Sequence, residues 1–296
     1  MPDNKAMRNL LLLSLFTLLF AACKKQTTTS QSALGSSGSA CLIGKWSDSS
    51  LPLTLKMSSD FSGDITAGMM VGGLNPLEQM AKVWNDAVGG SKTLITVPFP
   101  VTNNTGYSTT SAFRDSEIGI YKSPQWFSNV QTNVIAITQY YGVVTSSSGL
   151  GQYVQLTHAD IIVNYRDYAS DLVMANAMYQ VDMDLPTVVL HEMGHLLGLC
   201  HESTKPSIMA PYYSTTQRSV QNFDRTRIQD IYINNYISGL SANTNAISVP
   251  EGTEVKGMIE LHKDGTCAHY ENGKKVYEHH LDLSRKPDIS MFKKQK

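Results

Sequence analysis

The sequence predicts an α/β fold in which a helix lies across a sheet. Three observations predict it. β-rich stretches recur between residues 51 and 184, two segments carry apolar residues at helical spacing, and the order is strand, helix, strand, strands, helix. At 296 residues the chain is long enough for one large domain with appendages, or for two small ones.

The folded body opens near Trp46, and LPLTLKM (51–57) alternates as a first strand. NPLEQMAKVWNDAVG (75–89) is a helix: Leu77, Met80, Val83 and Trp84 fall at helical spacing, Asn75-Pro76 starts it and Gly89-Gly90 stops it. TLITVPFP (93–100) reads as a second strand, and residues 101–121, polar and turn-rich, as loop. NVIAITQYYGVV (133–144) and GQYVQLTHADIIVNY (151–165) are further strand regions, and MYQVDMD (178–184) alternates briefly. A second helix begins around Pro186, whose ring suits a first helical turn. Residues 256–283 read as a β-meander with turns at Lys263-Asp264-Gly265 and Glu271-Asn272-Gly273, followed by a basic end that frays.

The flanks have their own signals. Lys5 and Arg8 precede LLLSLFTLLFAAC (11–23), a basic start, a short apolar run and small residues, which is the pattern of a secretory signal. The apolar run falls short of the roughly 20 residues that a membrane span needs. Its end, Phe20-Ala21-Ala22-Cys23, resembles the bacterial lipobox, which implies cleavage before Cys23 and acylation of its sulfur. A plain secretory signal with an incidental cysteine is the alternative. Residues 24–40 are rich in Ser, Thr and Gly and hold too few apolar side chains to order themselves, so they read as a tether. The expected organisation is a signal over 1–22, a lipid-anchored tether over 23–44, a catalytic domain over 45–236 and a C-terminal β-appendage with its tail over 237–296. The formal net charge of -1 provides no basic field for nucleic acid, and no phosphate-binding glycine loop is present.

The chemistry concentrates in VVLHEMGHLLGLCHE (188–202). His191 and His195 are four residues apart, so on a helix they share a face and can point two imidazoles at one ion. Glu192 stands beside the first histidine, placed to take a proton from a water at that ion, as in the HExxH zinc hydrolases. A third ligand from His201 would lie about 9 Å further along a straight helix, out of reach of a bond of about 2.1 Å. The chain must turn back, and Gly198 can take the left-handed conformation that ends a helix. Three histidines leave one position open, which is the arrangement of catalytic zinc sites.

The run His191-Glu192-Met193-Gly194-His195-Leu196-Leu197-Gly198-Leu199-Cys200-His201 resembles the metzincin signature, and Met209 in SIMAPYY (207–213) resembles the Met-turn of that clan. The short gap and the order Met, any, Pro, any, Tyr are similar to the matrixins. The resemblance implies a twisted, mostly parallel sheet, an active-site helix, a Met-turn and a C-terminal helix, with Pro211 and Tyr213 walling the substrate pocket. Trp46 with LPLTLKM, then MAKVWNDAV, ADIIVNY and FDRTRIQDIY, resemble the first strand, first helix, third strand and final helix of a matrixin catalytic domain, so the likeness covers roughly 45–236. Glu202 after the third histidine is similar to the astacins, but their zinc-binding tyrosine would fall at Pro211, which cannot ligate; Glu202 therefore reads as solvated or salt-bridging. The segment after ADIIVNY lacks the His/Asp-rich loop of animal matrixins, so one catalytic zinc is expected, no structural zinc, and nothing is implied for calcium. A prodomain cysteine switch is missing too. NVIAITQYYGVV becomes extra sheet or a rim of the cleft.

Cys23 aside, Cys41, Cys200 and Cys267 remain, an odd number for an oxidising compartment. A Cys41–Cys200 disulfide would staple the start of the domain to the end of the zinc helix. Cys41 as an inhibitory zinc ligand, a Cys41–Cys267 bridge and free thiols stay open. Cys200 as a permanent fourth ligand would close the site. His158 reads as a strand-end or surface residue, and His279-His280 lie in the C-terminal appendage. The expectation is a lipid-anchored zinc endopeptidase of the bacterial cell envelope, extracytoplasmic, acting on proteins or peptides. A non-catalytic surface binding protein on the same scaffold would not need Glu192, and a zinc amidase of another fold would not need the Met-turn.

Overall fold

The computed structural model describes residues 41–104, 107–174, 183–211, 216–237, 249–263 and 266–280. The expected signal, Cys23, the tether up to residue 40, Tyr213 and the basic end lie outside the described residues.

Among the described residues, nine strands form one sheet. Its first part is parallel: β2 (Leu55–Ser58) pairs with β3 (Val101–Thr102) on one side and β4 (Ile118–Ser123) on the other, and β4 pairs with β6 (Gly151–Asn164). β1 (Gly44–Trp46) pairs parallel with the start of β6. β5 (Val134–Ser147) runs antiparallel to β6 along nearly its full length, because the turn at 148–150 joins the two strands directly. A two-residue pair, β7 (Leu172–Val173) and β8 (Met183–Asp184), stands apart from this sheet. The meander expected in the C-terminal segment is formed by β9 (Glu254–His262), β10 (Thr266–Glu271) and β11 (Lys274–His280). It is hydrogen-bonded into the main sheet, since β9 pairs antiparallel with β5 from Val134 to Val143. The β10–β11 turn carries Asn272 and Gly273 at φ 50 and 77, the left-handed pair that a tight hairpin requires.

Three helices pack on one face. α1 (Pro76–Val88) starts with a capping box: Asn75 Oδ1 accepts from the N–H groups of Leu77 and Glu78, and Glu78 accepts from the Asn75 N–H. α2 (Leu185–Leu196) packs on β5, β6 and α1. α3 (Asn222–Gln229) packs on α1 and continues into a π-type turn, Asp230–Asn234, that ends at Asn235 in the left-handed region. The main core lies between helices and sheet and includes Trp46, Trp84, Leu190 and Met193. A second core of Phe113, Tyr121, Trp126, Phe127, Ile137 and Ile162 covers the opposite face. Burial on both faces explains the apolar runs Val134–Ile137 of β5 and Ile161–Val163 of β6, whereas the first half of β6 alternates between buried and exposed positions.

Four local expectations are corrected. The first strand starts at Leu55, not Leu51; Leu53 makes only an isolated bridge to Ile95. Residues 93–100 form no strand, because Pro98 and Pro100 have no N–H to offer a ladder and the Leu94 and Ile95 N–H groups are taken by Asn85 Oδ1 of α1. The supposed loop 101–121 contains β3 and the start of β4, where Gly119 pairs with Lys56 of β2 and Tyr121 with Ile162 of β6. His158 lies inside β6, 8% exposed, and its Nε2 is 2.7 Å from Asp160 Oδ2 and 2.9 Å from the Phe113 carbonyl. The last exposed position of β6 is Thr157, and His158 opens the fully buried second half of the strand.

Candidate metal centre

α2 is positioned by its first residue pair and by complete burial. Asp184 caps it, accepting from Thr187 N at 3.0 Å and Thr187 Oγ1 at 2.7 Å, and Arg218 Nε pairs with the same carboxylate at 2.9 Å. All its residues are buried, so the histidines it carries are held by packing on every side.

The helix ends in a full Schellman motif. Gly198 has φ 93; its N–H bonds to the His195 carbonyl at 2.8 Å, and the Leu199 N–H to the Gly194 carbonyl at 2.9 Å. A Cβ on Gly198 would lie 2.0 Å from the Gly44 carbonyl oxygen. The remaining end carbonyls find partners from afar. Leu196 accepts from Trp46 Nε1 at 2.8 Å, Leu197 from the Tyr232 hydroxyl at 2.9 Å and Gly198 from Gly44 N at 2.8 Å. Cys41 and Cys200 form a disulfide, S–S 2.05 Å, which ties the chain ahead of β1 to the segment that carries His201. Cys41 is therefore neither a zinc ligand nor a partner of Cys267, and Cys200 cannot close a metal site.

With the chain turned back, the three histidines converge. Nε2 of His195 is 3.0 Å from Nε2 of His191 and 2.9 Å from Nε2 of His201, and the His201–His191 separation is 3.3 Å. His191 Nδ1 donates to the Ile208 carbonyl at 2.7 Å and His195 Nδ1 to the Leu199 carbonyl at 2.8 Å. Those bonds fix the protons on Nδ1 and turn the Nε2 lone pairs inward, toward one another. Burial holds His191 down to about 4 and His195 well below its ordinary value, so both are neutral, as ligands must be. Converging lone pairs repel unless a cation lies between them, and an ion with bonds of about 2.1 Å at tetrahedral angles sets its ligand nitrogens about 3.4 Å apart. The residues present fit such an ion. Among the described residues this is the one cluster of His, Cys, Asp or Glu able to hold a metal.

Glu192 is fully buried beside the cluster. Its Oε2 accepts a short hydrogen bond from the Thr138 hydroxyl on β5, and its Oε1 has no hydrogen-bond partner among the described residues. Burial pushes its carboxyl up to about 8, against the opposing pull of the Thr138 bond.

Beneath the histidines, Met209 packs on α2 at Gly194, where a Cβ would come within 2.2 Å of the Met209 Sδ. Asp224 of α3 holds that turn: it accepts from the Ser207 hydroxyl and from Ile208 N at 2.9 Å, and Ile208 is the residue whose carbonyl orients His191. Burial raises the Asp224 carboxyl above its usual range, though these donors oppose it. Glu202 caps the following turn, accepting from Thr204 N at 2.6 Å and Lys205 N at 3.2 Å. Pro211 is buried after Met209; Tyr213 lies outside the described residues. Sequence reasoning missed Thr138, Asp224, Trp46 and Tyr232 as supports of the site. Their partners are far away in sequence, and no local spacing marks them.

The comparisons with known proteins agree with this geometry. A family model described as Matrixin matches residues 100–233. A putative matrix metalloproteinase of Trichoplusia ni ascovirus 2c is 38% identical over 68 residues, 23% of this chain and 13% of the viral protein. Karilysin of Tannerella forsythia is 42% identical over 50 residues, 17% of this chain and 11% of karilysin. Metalloendoproteinase 2-MMP of Arabidopsis thaliana is 41% identical over 73 residues, 24% of this chain and 18% of the plant protein. The chain spans less than a fifth of the length of each.

Proposed function

We propose that this chain, a matrixin-type metalloprotease relative, is a zinc-dependent endopeptidase that cuts peptide bonds within proteins or peptides, and that it works outside the cytoplasm, anchored to a bacterial envelope membrane through a lipid on Cys23. The family implies zinc, and His191, His195 and His201 would hold it. Bound there, zinc supplies Lewis acidity toward a substrate carbonyl and acidifies water. Glu192 acts as general base on the attacking water and returns the proton to the leaving amine nitrogen. Met209 supports the histidines from below, and Pro211 and Tyr213 wall the pocket for the side chain after the scissile bond. The anchor rests on the signal-like start and its cysteine. Among the described residues no helix is long and apolar enough to cross a membrane.

The single observation that carries the reading is the convergence of three Nε2 atoms, each within 3.3 Å of the next, beside a buried carboxyl group with one oxygen that has no partner among the described residues. A pure binding module has no use for that carboxylate. The test is a peptide library incubated with the chain from residue 24 onward, with and without a zinc chelator, next to Glu192→Ala. Cleavage is expected only from the zinc-loaded wild type, while Glu192→Ala keeps its zinc. Cleavage by Glu192→Ala at the wild-type rate, or cleavage indifferent to the chelator, would sink the proposal.

A further inference from the structure

We infer that Thr138 is the positioning residue for Glu192: its hydroxyl pins one carboxylate oxygen and so presents the other to the proton it must receive. The inference rests on the hydrolytic reading above and adds a residue to it.

The geometry is asymmetric. Thr138 Oγ1 bonds Glu192 Oε2 and lies 3.2 Å from the Glu192 backbone oxygen, whereas Oε1 is buried with no partner among the described residues. A hydroxyl has one hydrogen, and the carboxylate oxygen is the nearer and more basic acceptor, so the proton points at Oε2. The terminal torsion of a glutamate is broad and roughly two-fold, and packing alone leaves the two oxygens interchangeable. One short hydrogen bond removes that freedom.

Thr138 itself has little room to move. It is fully buried, and its backbone is held in register on both sides, opposite Ile161 of β6 and Ile259 of β9. The two ladders fix where its Cβ stands, and the stiff χ1 of a β-branched, fully buried side chain keeps the hydroxyl on Glu192. The base is therefore oriented from the sheet, while the three histidines are oriented from α2 and the turns after it. In the step that Thr138 serves, a water O–H bond breaks as its oxygen bonds the peptide carbonyl carbon, the C=O π pair moves onto the carbonyl oxygen, and the proton goes to Glu192 Oε1. That proton then passes to nitrogen as the oxygen's pair re-forms C=O and the C–N bond breaks, leaving a carboxylic acid and an amine.

A merely structural threonine would also satisfy a buried carboxylate, so the test separates the two roles. Thr138→Val and Thr138→Ser are compared with the wild type in the zinc-loaded chain for kcat, KM and zinc per chain. Thr138→Val is expected to lower kcat about 10–100-fold, the usual cost of removing a supporting hydrogen bond, with KM and zinc content unchanged. Thr138→Ser, which keeps the hydroxyl, is expected to restore most of kcat. A Thr138→Val protein with wild-type kcat, or a Thr138→Ser protein as impaired as Thr138→Val, overturns the inference; should Thr138→Val fail to fold, Thr138→Ala carries the same comparison. Affinity for acetohydroxamic acid, whose N–O–H can bond a carboxylate next to the metal, provides a readout without turnover. Its Kd is expected to rise about tenfold in Thr138→Val, corresponding to one hydrogen bond, while that of imidazole stays the same. Equal acetohydroxamate affinity in both proteins overturns the inference. Absence of any cleavage by the wild type, with the Kd difference intact, rejects the endopeptidase reading and leaves the positioning role supported.

Discussion

Replacing Gly198 with alanine should damage the metal site without touching a ligand. The residue has φ 93, and a Cβ there would stand 2.0 Å from the oxygen and 2.3 Å from the carbonyl carbon of Gly44. The left-handed conformation costs an L-residue about 1–2 kcal/mol. The clash is with backbone, so β1 must move, and overpacking of that kind costs typically about 1–3 kcal/mol. Moving β1 also loosens the Gly44–Gly198 hydrogen bond and the support that Trp46 gives the Leu196 carbonyl. The sum is about 2–5 kcal/mol, a fall in Tm of roughly 5–20 °C for a domain of this size. Because His201 lies just beyond the turn, zinc affinity should weaken at least about tenfold. Gly63→Ala is the control, since no atom lies within 4 Å of a Cβ there. Calorimetric unfolding and competitive zinc titration measure both quantities. A Gly198→Ala protein that melts within about 2 °C of the Gly63→Ala control and binds zinc equally would refute the argument that the turn is what delivers the third histidine.

Two more expectations concern the rest of the fold. Removing the cross-link by Cys41→Ser with Cys200→Ser should lower stability by about 2–5 kcal/mol, read as a denaturant midpoint that no longer responds to reductant; a Cys41–Cys267 peptide in a non-reducing digest would contradict the pairing. His269 on β10 donates to or accepts from the Tyr140 hydroxyl at 2.8 Å, and burial lowers it to about 4. A folded value below the unfolded one means that the native state binds the proton less readily. The stability this neutral histidine confers is complete above pH 6.5 and is lost as the pH falls toward 4, by up to about 3 kcal/mol. His269→Gln should flatten the stability profile between those limits, and an unchanged slope would show that another group is responsible.

Local spacing explains which parts of the site could be read in the sequence. His191 and His195 share a helix face by arithmetic alone, and a glycine at 198 is what a chain that must reverse there requires. The start of α1 was equally open to reading, because Asn75 and Glu78 form their box within one turn. The supports of the site were hidden because they act at long range. Thr138 reaches Glu192 across 54 positions, and Tyr232 reaches Leu197 across 35. Tertiary competition also defeated local pattern at 93–100, where a side chain of α1 takes the N–H groups that a strand would use. The cysteines fell between these cases. Counting left several pairings open, and only the fold, by carrying β1 to the end of α2, brings Cys41 and Cys200 to a Cα–Cα distance of 6.1 Å.

The alignment of β9 on β5 has a consequence for how any peptide could be received. β5 is the strand that touches Glu192, and a sheet commonly captures an extended peptide by accepting it as one more strand. Here the row of backbone donors and acceptors from Ala136 to Val143 is already matched to β9 on one side and to β6 on the other. A guest strand on β5 and the chain's own β9 are mutually exclusive occupants of the same row.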